Sequence, residues 1–216
     1  MIRIRHAAER GGTRLDWLDS RHTFSFGGYV DPGWMGFRGL RVLNDDRVAP
    51  GGGFPTHPHR DMEILTYVLS GALEHADSMG NRSVIRAGDL QRMTAGSGVT
   101  HSEFNPSATE PVHFLQIWIV PEERGLQPRY EQAAVRGSVD LRVHRDARFS
   151  ITRLAAGEEI EREIAAGRHA WIHVARGSVR LGEETLSEGD GVGVSGEPTI
   201  RLRSESGTEL LLFDLA

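Results

Sequence analysis

Short apolar–polar runs alternate with glycine- and proline-bearing turns along most of the chain, and helix-like runs are few. "LRVLND" (40–45) reads as a strand and the following "DDRVAPGGG" as a turn-rich connection. "MEILTYVLSGALEHAD" (62–77) predicts a strand, a turn at Gly71 and a second strand. "RSVIRAGD" and "VTHSEFN" predict two more. "PVHFLQIWIV" (111–120) is apolar at odd and even positions alike, as a strand buried on both faces requires, and Pro121 ends it. "PEERGLQPRYEQ" (121–132) is polar and proline-containing and reads as a linker. The β pattern then resumes in "LRVHRD", "FSITRLAAG", "WIHVARGSVRLGE", "GDGVGVSG", "TIRLRSE" and "TELLLFDLA".

The two halves resemble each other. "TYVLSGALEH" (66–75) lies over "IHVARGSVRL" (172–181), with Gly71 matched to Gly177. "AGDLQRM" lies over "EGDGVGV", and "VHFLQIWIV" over "ELLLFDLA". Three matches in one order predict a duplicated β unit. The expectation is an all-β chain of two jelly-roll-like barrel or sandwich units, 1–132 and 133–216.

Composition narrows the chemistry more than the fold. The 216 residues carry 38% hydrophobic and 25% charged residues, ordinary for a soluble protein, and 26 glycines suit a turn-rich one. The net charge of −5 argues against a direct nucleic-acid partner. No apolar run reaches the length of a membrane span, and "MIRIRHAAERGG" lacks a signal-peptide core, so a cytoplasmic location and no membrane partner are expected. A monomer is expected as well. Cysteine is absent, which removes disulfides, thiolate metal sites and thiol nucleophiles. Any metal must be held by His, Asp or Glu.

"FPTHPHRDME" (54–63) is where such donors concentrate. Strand side chains repeat their facing every second residue, so His57 and His59 point the same way, and the restricted φ of Pro58 helps fix their spacing. "THSEF" repeats the device with His101 and Glu103. Two adjacent strands would thus bring three imidazoles and one carboxylate to one point. That set suits iron, nickel, copper, cobalt, manganese or zinc, and leaves two positions of an octahedral ion open. Glu63 is a rival for the acidic position. On a straight strand it would stand about 13 Å beyond His59, so it could ligate only if a bend fell near Arg60 and Asp61. The other histidines, His6, His22, His75, His113, His144, His169 and His173, lack a same-face partner at this spacing and read as surface or satisfied core residues. In the second half the matching positions fall near Glu163 and Ala165 and within "TIRLRSE", so that copy is expected to be metal-free.

These residues resemble the cupin superfamily. Gly51-x5-His57-x-His59-x3-Glu63 resembles its first motif, with the closing glycine, Gly71, one residue late. Gly88 through Gly98-x2-His101-x3-Asn105 resembles the second, with Gly96 where proline is usual. Within cupins, "HTFSFGGY", "DPGWMGFRGLRVLNDD", "THPHRDMEILTYVLSGALEHADSMGN" and "TAGSGVTHSEFNPS…HFLQIWIVPEE" resemble the pirin family, strongly over residues 1–132 and weakly but collinearly beyond.

The resemblance implies a bicupin with its metal in the N-terminal unit and ligands His57, His59, His101 and Glu103, which leaves Glu63 a supporting role. Iron(II) is the expected ion. It further implies a flavonol 2,3-dioxygenase acting on quercetin-like substrates with O2 and releasing CO. Glu103 would accept the substrate hydroxyl proton, and Phe54, Met93 and Phe114 are candidate pocket walls. The alternative carried by the same resemblance is a regulatory metalloprotein that works through a protein partner, with flavonol turnover incidental.

Overall fold

A computed structural model describes residues 1–135 and 141–216, with residues 136–140, inside the expected C-terminal domain, lying outside the described set. The first strands are β1 (Ile2–Arg5), β2 (Gly11–Leu15), β3 (Leu18–His22), β4 (Leu40–Val48), β5 (Gly53–His59), β6 (Glu63–Ser70) and β7 (Ala72–Asp77). Next come β8 (Arg82–Arg86), β9 (Asp89–Thr94), β10 (Val99–Phe104), β11 (Val112–Ile119), β12 (Arg129–Ala134), β13 (Leu141–Arg142) and β14 (Ala147–Leu154). The remainder are β15 (Glu159–Glu163), β16 (His169–Arg176), β17 (Ser178–Leu181), β18 (Glu184–Ser187), β19 (Gly191–Ser195), β20 (Thr199–Ser204) and β21 (Thr208–Leu215). The one helical element among the described residues is a single 3-10 turn, Ala7–Glu9, and no helix there is long and apolar enough to cross a membrane.

Two compact units emerge, each an antiparallel sandwich of two sheets rather than a closed barrel. The unit formed by Gly11–Gly36 and Leu40–Val135 has a seven-stranded sheet, β12-β9-β6-β11-β4-β3-β2, and a four-stranded sheet, β5-β10-β7-β8. Leu18, Val48, Val68, Val112 and Phe114 of the large sheet pack against Leu73 and Ile85 of the small one. β11, apolar on both faces as its sequence requires, lies between β6 and β4.

The second unit repeats this plan, with β1-β19-β16-β21-β14-β13 facing β15-β20-β17-β18. Strand for strand, β9-β6-β11-β4 corresponds to β19-β16-β21-β14, in agreement with the internal repeat in the sequence. Each copy crosses from its larger sheet to its smaller one on a glycine with positive φ, Gly71 (+75°) and Gly177 (+74°). A Cβ at Gly71 would stand 2.6 Å from the Pro111 carbonyl oxygen, so close approach as well as φ demands glycine there.

Two placements differ from the expected boundaries. Met1–Arg10 and Phe37–Gly39 cluster with the described residues of Arg136–Ala216 instead of with the chain that follows them. β1 caps the edge of β19 from Ile2↔Val194 to Arg5↔Gly191. An exposed apolar edge strand needs such a cover, and the alternating "IRIR" supplies it. The expected linker also ends early. Arg129–Gln132 belongs to β12, which pairs with β9 at the rim of the large sheet. Its polar, mostly exposed pattern is that of an edge strand, which polarity alone does not distinguish from a loop.

Candidate metal centre

β5 and β10 pair antiparallel on the small sheet, with His57 opposite His101 and His59 opposite Val99. The inward-facing imidazoles therefore meet. His57 Nε2 lies 3.0 Å from His101 Nε2, and His59 Nε2 lies 2.9 Å from the same atom. Neighbouring ligands at right angles on an ion with metal–nitrogen bonds near 2.1 Å stand about 3 Å apart, so three nitrogens in this arrangement fit a first-row divalent metal.

Hydrogen bonds behind the rings aim them. His57 Nδ1 is 2.8 Å from the Pro55 carbonyl oxygen. A carbonyl can only accept, so Nδ1 carries the proton and Nε2 presents its lone pair. Behind His101 runs a longer chain. Its Nδ1 is 3.4 Å from His75 Nδ1, and His75 Nε2 is 3.1 Å from Asp77 Oδ2. Asp77 is itself fixed by Asn81, whose backbone N–H and side-chain amide donate to Oδ1 at 3.0 and 3.1 Å. Tyr130 stacks on His75 with ring centroids 4.7 Å apart. Burial, with the neighbouring histidines adding to it, holds His101 far below the usual imidazole range, and burial followed by His57 lowers His59 to about 4. Both rings are neutral at pH 7, as metal ligands must be.

Glu103 reaches from the small sheet into the interior. Gln116 Nε2 donates to its Oε2 at 3.0 Å and Thr66 Oγ1 to its Oε1 at 3.4 Å. Its carboxylate groups within 4.8 Å with His75 and His101, whereas His57, His59 and His101 form the other such cluster. Burial and then the charge of Asp46 raise Glu103 to about 7, while Thr66 and Gln116 pull it down. The chain does bend between the two strands, at Asp61 (φ +50°), yet Glu63 turns to Thr94, whose Oγ1 donates to it at 3.1 Å, and belongs to neither metal-type cluster among the described residues.

Beside the histidines opens a cavity of about 220 Å³, lined among others by His22, Asp46, Phe54, Glu103 and Trp118. Of the three expected wall residues, Phe54 lines it. Met93 and Phe114 are fully buried in core clusters instead, Met93 with Ile64 and Val99, Phe114 with Val68 and Val112. Two histidines set aside on spacing also belong to the site, His75 behind His101 and His22 in the cavity wall. Their signal is topological. The turn at Gly71 carries the chain from the large sheet to the small one, where β7 pairs with β10, and the register then sets His75 opposite Glu103 and Asp77 opposite His101.

Among the described residues, the second unit has no donors at the corresponding positions. Glu74 and Arg180 each stand third after Gly71 and Gly177 and pair with Phe104 and Arg203, so Ile200 and Leu202 occupy the places of His101 and Glu103. Arg162 pairs with Ile200 as His57 pairs with His101. Ile164, Ile200 and Leu202 are buried in an apolar core.

Two facing antiparallel sheets with such a histidine cluster on the paired strands β5 and β10 of the smaller one define a cupin with a metal-type donor set. Comparison with known proteins gives the family. The pirin family pattern matches residues 3–119, and that of the quercetinase C-terminal cupin domain matches residues 134–215. The chain belongs to the pirin family. It is 49% identical to the quercetin 2,3-dioxygenase of Escherichia coli K12, over all of this chain and 99% of that protein. The E. coli bacterial pirin YhhW in complex with nickel(II) superposes with a TM-score of 0.96 at 47% identity, covering 100% of this chain and 99% of the other. GK1651 from Geobacillus kaustophilus, at 24% identity and a TM-score of 0.77, shares the fold over 98% of this chain and 94% of its own.

Proposed function

We propose that this chain is a metal-dependent dioxygenase that opens the heterocycle of flavonols such as quercetin. Both atoms of O2 enter the cleaved product and one ring carbon leaves as CO. The observation that carries the reading is the convergence of three Nε2 atoms beside a cavity, in a chain whose full-length relative at 49% identity is named quercetin 2,3-dioxygenase.

The proposed ligands are His57, His59, His101 and Glu103. We take iron(II) as the native ion, since this nitrogen–oxygen set suits it. The E. coli relative is described in complex with nickel(II), which supports a divalent metal for this chain too. When bound, the ion supplies a Lewis-acidic centre that coordinates the flavonol 3-hydroxyl and acidifies it.

The protein side of the chemistry rests on Glu103. Burial raises the metal-free Glu103 carboxyl to about 7, and a carboxylate oxygen not engaged by the ion would be placed to take the hydroxyl proton. Gln116 and Thr66 donate to both carboxylate oxygens and hold it in position. Phe54 and Trp118 wall the cavity with apolar surface and keep water from the reacting ring.

The test is to supply quercetin and O2 to protein of known metal content and to follow flavonol loss and CO. The expected result is one CO per flavonol consumed, abolished in His101→Ala. Turnover that persists unchanged in that variant would remove this site from the reaction.

A further inference from the structure

The proposed site uses one side of its cavity. The opposite wall, on β3 and β4, is polar and buried: Ser20 is 3% exposed, His22 1%, Asn44 3% and Asp46 4%. Most of this wall is internally satisfied. His22 Nε2 is 3.0 Å from Thr13 Oγ1, and its Nδ1 is 3.0 Å from Asn44 Oδ1 and 3.3 Å from Ser20 Oγ. Asp46 differs. It sits opposite Ser20 on one side and Phe114 on the other. Ser20 hydrogen-bonds its carboxyl, Phe114 has nothing to offer, and Oδ1 is left without a partner. Trp118 Nε1, on another residue of the same cavity, is likewise unpartnered.

A buried acceptor without a donor is costly, and a cavity that a ligand enters is where such a group is satisfied by something other than the protein. The lining restricts what that ligand presents. It contains two acidic residues, Asp46 and Glu103, and no lysine or arginine. An anionic end is repelled there, whereas a neutral hydroxyl donates well. The neighbouring aromatic faces of Phe26, Phe54 and Trp118 favour a flat ring to carry it.

We propose that Asp46 anchors the substrate, its Oδ1 accepting a hydrogen bond from a ring hydroxyl of a planar polyphenol whose enolic end reaches the metal-binding histidines. The site then selects ring-hydroxylated flavonols over bare ones. This rests on the dioxygenase reading for the identity of the enolic end. Asp46 acts in binding and orientation, and Glu103 keeps the proton transfer.

The experiment measures both affinity and turnover of the metal-loaded full chain. The panel is 3-hydroxyflavone, which has no other hydroxyl, then galangin, kaempferol and quercetin, which add hydroxyls to one ring and then the other. The variants are Asp46→Leu and Asp46→Asn, each checked for folding by thermal melting. The expected wild-type preference for a hydroxylated member over 3-hydroxyflavone shrinks by about tenfold or more in Asp46→Leu, a ratio in which any change at Glu103 common to the whole panel cancels. Asp46→Asn keeps an acceptor oxygen and retains part of the preference, so it serves as the decisive variant if the leucine protein does not fold. An unaltered preference in the folded variants, or no preference in the wild type, overturns the proposal. Flavonols that bind but are not consumed would defeat the dioxygenase reading alone, with the affinity ratio still deciding the role of Asp46. No flavonol binding by the wild type defeats both.

Discussion

His57 and His101 stand opposite each other across paired strands, their Nε2 atoms 3.0 Å apart and both facing the interior. Two imidazole nitrogens this close, with His57 Nδ1 already committed to a carbonyl, both point at one place. An ion there relieves that crowding. The metal-loaded wild type is therefore expected to hold one equivalent, and His101→Ala close to none, because His101 is the ring that contacts both others. Elemental analysis after gel filtration reads this directly. Full occupancy in the variant would place the metal elsewhere.

The chain Asp77–His75–His101 is expected to matter although neither Asp77 nor His75 is a proposed ligand. Asp77 orients His75, and His75 sits against the far nitrogen of His101. Partners of this kind typically change metal affinity by about 10–100-fold. Asp77→Asn should weaken metal binding within that range while His101 stays in place. Competition titration against a chelator would measure it, and equal affinity in the two proteins would reduce the chain to a packing feature.

The sequence carried much of this site and missed parts for identifiable reasons. Strand periodicity puts His57 with His59 and His101 with Glu103, because a period of two needs no tertiary information. The three histidines meet only because β5 lies beside β10, which depends on the sandwich topology, whereas Glu103 groups with His101 and His75. His75 and Asp77 also form a pair with period two, but they take their meaning from β10 on the other side of them. Met93 and Phe114 were expected in the pocket on hydrophobicity, which cannot tell a wall from a core. β1 joined the C-terminal unit through an edge pairing across nearly the whole chain, and four residues of alternation cannot reveal their partner.

Metal uptake should depend on pH through Glu103. Its carboxyl is raised to about 7 by burial, then by the charge of Asp46, so it is protonated below that pH and must lose the proton to ligate. His59, lowered to about 4, contributes no slope above that value. Apparent affinity is expected to fall as pH drops from 8 to 5.5, with a limiting slope of about tenfold per pH unit for one displaced proton. Glu103→Gln should flatten the profile. If the wild type is already flat there, Glu103 is not a ligand.

Two glycines at turns between the sheets give a prediction about folding. Gly71 and Gly88 both have positive φ, but a Cβ at Gly88 would meet nothing within 4 Å, whereas one at Gly71 would meet Pro111 O at 2.6 Å and Val112 Cα at 3.0 Å. Gly88→Ala should cost about 1 kcal/mol, the price of left-handed backbone alone. Gly71→Ala should cost about 2–4 kcal/mol, since β6 and β7 must also move away from β11. Urea midpoints of the two variants compare them, and equal losses would show that the Gly71 turn shifts freely.

Asp46 links the cavity to stability. Burial is the main cause that lifts its carboxyl from 3.8 to about 7, with Ser20 opposing and Asp45 assisting. A carboxyl whose folded pKa is raised binds its proton more tightly in the native chain than in the unfolded one. Stability is therefore highest where the group is protonated in both states, below about pH 4, and is lost as pH rises towards 7. His59 and His101, lowered by burial, act in the opposite sense, losing stability as pH falls below 6.5, so the wild-type profile alone mixes the two. Subtraction removes the histidine contribution and leaves that of Asp46 together with its effect on the neighbouring Glu103 carboxyl. Asp46→Asn removes the titration but keeps the shape, so its stability relative to wild type should rise between pH 4 and 7 and level off above, by up to a few kcal/mol. Chemical unfolding of the metal-free proteins at pH 4.5, 6 and 8 gives the three differences. A constant offset would mean that Asp46 ionises in the folded chain as easily as in the unfolded one, and that the cavity wall is wetter than its burial implies.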